Sequence, residues 1–225
     1  MKLDKAKIYI FFILITLFLF SCQSEENVVL QDDTENLISG SQLVDKMLQL
    51  TQNPVWADNI IDSTDCFSVK LPVNVLVNGQ ELHIAEISDF ISVEDIFNES
   101  QQDVDMVQVE LPATVVYADY TQSQILTQED WDLASECVNT ASTGLKCLRF
   151  VYPLSVNIYD TIYQVADVQV MDDDMEFYGF LNNLNENVLS AIAYPVVVVK
   201  PDGEEVDCNN NNELLSVLSM FYECD

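Results

Sequence analysis

A proline has no backbone N–H, so a proline inside an alternating apolar stretch restricts how that stretch can enter a β-sheet. This chain has four such prolines, Pro72, Pro112, Pro153 and Pro195, spaced 40, 41 and 42 residues apart. Apolar residues flank each one with period two: Leu71, Val73, Val75 and Val77; Leu111, Ala113, Val115 and Tyr117; Tyr152, Leu154, Val156 and Ile158; Tyr194, Val196 and Val198. Alternation of this kind marks a half-buried strand, and a recurrence near 40 residues marks a repeated supersecondary unit. Each proline is expected at an edge, at a bulge, or with its amide site toward solvent.

Turn residues follow each strand: Asn78-Gly79, Asp119-Tyr120, Asp160-Thr161 and Pro201-Asp202-Gly203. Second strands are expected near Glu81 to Ile84, Ser123 to Leu126, Ile162 to Val168 and Glu204 to Asp207. Helix starts follow, each with a capping residue three positions before a carboxylate: Ser92 with Asp95, Thr127 with Asp130, Asp173 with Glu176, and Asn210 with Glu213. Counted from the prolines, these caps fall at +20, +15, +20 and +15, an A-B-A-B order. Apolar stripes follow the later caps, as with Phe177, Phe180 and Leu181, and are read as core. The expected fold is α+β, built of tandem ββα repeats in two small modules. Each module has an antiparallel sheet with helices on one face.

Ahead of the repeats, Leu43, Val44, Met47 and Leu48 predict a short helix over Ser41 to Leu50, packed on the first module. Met1 to Ser21 joins a lysine-bearing start to an apolar run from Ile8 to Phe20, too short to span a bilayer comfortably, and so reads as a cleaved export signal. The expected organisation is a signal peptide over 1–21, an acidic flexible tether over 22–38, a short helix and linker over 39–64, and modules over 65–143 and 144–225.

Removing the signal takes three lysines and Asp4 from 8 basic and 38 acidic residues, leaving 5 and 37 and a net charge of −32. That charge repels nucleic acid and anionic headgroups and keeps a surface protein soluble. Five cysteines remain beyond Cys22: Cys66, Cys137, Cys147, Cys208 and Cys224. An exported protein permits disulfides, the odd count leaves one thiol over, and several pairings are open.

Leu19-Phe20-Ser21-Cys22 resembles a lipobox, which implies a lipid on Cys22, and Gln23, Ser24, Glu25 and Glu26 resemble the surface-export signal of Bacteroidota lipoproteins. The segments Cys66 to Pro72 and Cys147 to Pro153, with Val199-Lys200-Pro201-Asp202-Gly203, are similar to repeated Cys-strand-aromatic-Pro / Asp-Gly units of uncharacterised Bacteroidota (flavobacterial-type) surface lipoproteins. Leu71 departs from the aromatic position. The resemblance implies an outer-membrane, cell-surface location and no particular activity.

His83 is the single histidine and lies in an expected strand, where it reads as a solvent-facing residue rather than a catalytic base. No glycine-rich phosphate loop is present. Asp172, Asp173, Asp174 and Glu176 offer four carboxylates for Ca²⁺ without the order of an EF-hand loop, and equally suit an acidic helix start. Ser63 and Thr161, each after an aspartate, resemble an O-glycosylation sequon of this bacterial group. The expected function is a non-enzymatic, membrane-anchored module, without a cofactor, that binds a protein or glycan or serves as a structural part of the envelope. The alternatives are a carboxylate-dependent hydrolase of extracellular polymers and a calcium-stabilised adhesion module.

Overall fold

The computed structural model describes residues 35–99, 104–137, 145 and 147–220. The export signal, Cys22, Gln23 to Glu26 and Cys224 lie outside them. Among the described residues the chain is mixed α+β, with six helices and four three-stranded antiparallel sheets.

Each proline divides its apolar stretch into two strands. Pro72 lies between β1 (Phe67–Val69) and β2 (Val73–Val77), and Pro112 between β4 (Val107–Val109) and β5 (Ala113–Tyr117). Pro153 separates β7 (Arg149–Phe150) from β8 (Leu154–Asp160), and Pro195 separates β10 (Val188–Ile192) from β11 (Val196–Val199). All four X-Pro bonds are cis. The two halves of a broken stretch enter different sheets: β1 pairs with β5 while β2 pairs with β4, and β7 pairs with β11 while β8 pairs with β10.

The register is continuous across the breaks. Val69 faces Val115 and Val75 faces Val109, which sets Pro72 opposite Pro112; Phe150 faces Val198 and Val156 faces Ile192, which sets Pro153 opposite Pro195. The ladder resumes two residues away on both sides. Lys70 donates to the Thr114 carbonyl and Glu110 to that of Asn74, both at 2.9 Å; Val151 donates to Val197 at 3.0 Å and Ala193 to Ser155 at 2.8 Å. Hydrogen-bonded pairs recur every second residue in an antiparallel ladder. Both prolines of each pair therefore occupy a rung where two N–H donors would be used. This corrects the expectation of one small sheet per module, with prolines at an edge, at a bulge or with the amide site toward solvent: the missing donors face each other, both strands break together, and each half of the chain holds two sheets.

The hairpins close with β3 (Gln80–Ile84), β6 (Gln122–Ile125), β9 (Val165–Met171) and β12 (Glu205–Cys208). Asn78 and Gly79 turn the first at φ 47° and 85°, the positive-φ pair such a turn needs. Helices α1 to α6 span Gln42–Leu50, Asn59–Asp62, Phe90–Asn98, Gln128–Ser135, Asp174–Asn182 and Asn211–Ser219. Thr127, Asp173 and Asn210 are N-caps whose side chains accept from the amides of Asp130, Glu176 and Glu213. Ser92 is not a cap. A 3-10 turn at Ile87–Asp89 carries the chain into α3 at Phe90, and Asp89 accepts from the amides of Ala85 and Glu86 at 2.8 and 3.0 Å. The A-B-A-B spacing thereby loses its first member. From proline to helix cap (Asp89, Thr127, Asp173 and Asn210) the distances are seventeen, fifteen, twenty and fifteen residues, and the third unit stands apart because β8 and β9 run seven residues each.

Two apolar cores result. One gathers Ile61, Phe67, Val75, Val93, Val115 and Ile125, with Trp131 and Tyr117 set edge-on to Phe67. The other gathers Phe150, Val156, Phe177, Leu181, Val198, Leu214 and Leu218. Helix α1, capped by Ser41, supplies Leu43, Val44, Met47 and Leu50 to this second core and packs on α5 and α6. The expected packing on the first module is thus overturned: the first core lies in sequence between two parts of the second. The expected tether is also shorter, because Leu37 is buried in the second core, Asn36 bridges Ala191 and Glu35 accepts from the Asn211 amide. Leu37 gains an apolar slot, and its N–H donates to the Ser190 carbonyl at the edge of β10.

The halves meet where α1 ends. Asn53 donates to the Ala118 carbonyl at 3.0 Å and Tyr120 to that of Thr51 at 2.9 Å, with the Tyr120 ring against Tyr178 of α5. Cys66 is joined to Cys137, which closes β1 onto the end of α4; Cys147 is disulfide-bonded; Cys208 is a free, buried thiol.

Met47 is fully buried, so Met47→Ala should cost about 2–5 kcal/mol. Hydrogen exchange should show the loss in β8, β11 and α6 and spare β2 and β5. Replacing both Cys66 and Cys137 by serine should have the opposite pattern and cost about 4 kcal/mol from loop closure over 71 residues.

Candidate functional site

The longer hairpin of the third unit creates a cleft. A seven-residue strand is about 23 Å long, whereas a nine-residue helix covers about 13 Å. Helix α5 therefore covers part of the sheet β10-β8-β9 and leaves the rest open. The opening measures about 560 Å³, within the usual range of small-molecule sites.

Its floor comes from the core-side face of the sheet: Ile158 of β8, Gln169 and Met171 of β9, Val188 and Ser190 of β10. Its wall is one stripe of α5, Glu176, Gly179, Phe180 and Asn183, continued by Leu184 and Asn185. Phe177 and Leu181 on the neighbouring face are buried. The stripe expected to be wholly core is therefore divided, with Phe180 facing the cleft. A Cβ built on Gly179 meets nothing within 4 Å. Asn183 donates from its amide to the Gly179 carbonyl at 2.7 Å, and Asn185 accepts from the Asn187 amide at 2.8 Å. Glu176 is the single carboxylate in the lining, and it accepts from the Asp172 amide at 2.9 Å.

A second groove, about 540 Å³, runs over Pro72 and Pro112 and is lined by Lys70, Asn74, His83, Glu110 and Thr114. His83 is an exposed strand residue, its Nδ1 2.7 Å from Oδ1 of Asn74, and Lys70 donates to Gln122 at 3.0 Å. In the second half, tyrosines precede the facing prolines. Tyr152 donates to Asp174 at 2.5 Å and Tyr194 to Asn211 at 2.7 Å, which ties each proline to the first turn of its unit's helix. Burial holds both phenols well above their usual pKa and raises the carboxyl of Asp174. In the first half Leu71 and Leu111 stand at these positions and join the core instead.

Three of the four acids considered for Ca²⁺ turn to separate partners: Asp173 caps α5, Asp174 accepts from Tyr152, and Glu176 reaches back to the Asp172 amide. Among the described residues no group of three or more His, Cys, Asp or Glu side chains is arranged to hold a metal ion. Ser63 is exposed at φ 57° where α2 ends. Thr161 is exposed and its hydroxyl donates to the Asn187 carbonyl at 2.8 Å.

Asp58 and Asp62 escaped the sequence reading. They stand one helical turn apart around α2 and are 5% and 9% exposed. Asp58 accepts at 2.6 Å from the amide of Val69, on the edge strand β1, and Asp62 accepts from the amide of Thr64 at 3.1 Å. The other oxygen of each is buried without a partner among the described residues. Burial pushes Asp58 up to about 6, and burial followed by the charge of Asp58 pushes Asp62 up to about 8. The nearby Asp65 adds to the rise, while neither carboxylate of α3 contributes. In a chain this acidic no single aspartate draws attention; the signal available was two acids four residues apart enclosing Ile60 and Ile61.

No family model, curated protein or solved structure matches this chain. Among the described residues, no helix is long and apolar enough to cross a membrane.

A carboxyl whose pKa is higher folded than unfolded stabilises the fold most when protonated, and that contribution fades as pH rises through the folded value. The melting temperature should therefore fall by several degrees between pH 5 and pH 9. Asp62→Asn should flatten the slope and raise the melting temperature at pH 9; an unchanged slope would show that Asp62 does not take up a proton in this range.

Proposed function

We propose that this chain is a lipid-anchored, non-enzymatic binding module of the bacterial envelope. Cys22 carries the lipid, Gln23 to Glu26 direct the protein to the outer face of the outer membrane, and the ligand enters the cleft beneath α5. The observation that carries the binding role is that cleft, where a helix glycine keeps clear a space that its own chain leaves unfilled. The anchor rests on the export signal and on Cys22 at the end of its apolar run.

In this reading the frame is a tandem ββα repeat duplicated as a pair. The four matching hydrogen bonds across the facing prolines support it, since the residue two before each proline donates to the residue two after its partner. In this reading the cleft also lies near the membrane. Glu35 docks on the start of α6, and the thirteen steps back to Cys22 reach at most about 45 Å. The net charge favours neutral or cationic ligands and keeps the module off anionic headgroups.

Metabolic labelling with palmitate should mark the wild-type protein and not Cys22→Ser. Protease added to intact cells should digest the wild type, and cross-linking on those cells should capture a ligand that a filled cleft no longer takes. A soluble wild-type protein would remove the anchor from this reading, and capture unaffected by filling the cleft would remove the binding site.

A further inference from the structure

We infer that the cleft beneath α5 takes a sugar ring of an uncharged glycan, an inference that rests on the cleft being the binding site. Glycine inside a helix is unfavourable by about 1 kcal/mol relative to alanine, and it is tolerated where another backbone or a ligand must come close. A Cβ on Gly179 would meet nothing within 4 Å, so no contact within the described chain calls for the glycine, and the space beside it is open to a ligand.

The groups around that space define the occupant. Phe180 and Ile158 offer apolar surface for the C–H face of a ring. Gln169, Asn183 and Asn185 bring side-chain amides, each carrying both a donor and an acceptor, the combination that matches hydroxyl groups. Ser190, 2% exposed, adds a hydroxyl to the floor. Glu176 is the only ionisable residue in the lining and is already engaged by a backbone amide. On a surface with the charge of this chain, a cleft lined by amides selects against anionic sugars and offers a cationic peptide no counter-charge beyond that single carboxylate.

The test uses the full mature chain and a panel of neutral oligosaccharides of glucose, mannose and galactose in α and β linkage, with a sulfated analogue and an apolar peptide library as comparators. Binding is followed by calorimetry. At least one neutral series should bind, its sulfated analogue at least tenfold more weakly. Gly179→Leu should abolish binding while melting at or above the wild-type temperature, since its side chain enters open space. Gln169→Ala, at an exposed position of an edge strand, should weaken binding several-fold without a change in melting. Neutral-sugar binding that survives Gly179→Leu would overturn the inference, as would preference for the sulfated analogue. Peptide binding that Gly179→Leu removes, with no sugar bound, would overturn the ligand class and leave the cleft as the site. Binding of nothing in the panel would overturn both.

Discussion

Two prolines facing each other across an antiparallel ladder empty one rung of both its donors. A lone proline can be placed at an edge, where the lost N–H would have faced solvent. A facing pair inside a ladder has no such place, so the strands separate for one rung and pair again beyond it. On either side the partners are the same two stretches, yet the hairpin arms β3 and β6 attach at opposite ends and make two sheets out of one pairing. The same device at Pro153 and Pro195 builds the second half. Short strands and small sheets follow, and the cores between them are closed by helices and by the bond between Cys66 and Cys137.

Much of this was legible from residues. The alternation around the prolines located the strands, the turn residues located the hairpins, and three of four caps were placed to the residue because Thr127, Asp173 and Asn210 each have a carboxylate three positions on. The fourth failed because Ser92-Asp95 imitates a capping box from inside a helix that Asp89 begins. That proline faces proline was hidden, because periodicity describes a stretch and says nothing of its partner. The location of α1 was hidden for the same reason: an apolar stripe specifies burial and leaves open which core receives it.

The site was legible only in fragments. Glu176 and Phe180 were singled out, one for metal chemistry and one as core, and the structure brings them to one wall. Gly179 between them carried no signal, because a helix glycine acquires meaning only from the empty space beside it. That space exists because the third hairpin grew while its helix kept the nine residues of α3 and α6. A change in strand length, and not a new constellation of reactive side chains, distinguishes this unit from its neighbours.

The insertion of the first core between α1 and the rest of the second sets an order of assembly. During synthesis Leu43, Val44, Met47 and Leu50 emerge before the partners that bury them, which begin only at Leu145. The first core has all its residues by Cys137 and can close in the meantime. Until the last strands arrive, the helix face formed by these four residues waits uncovered, so a chaperone would have a defined segment to shield and a defined moment to release it.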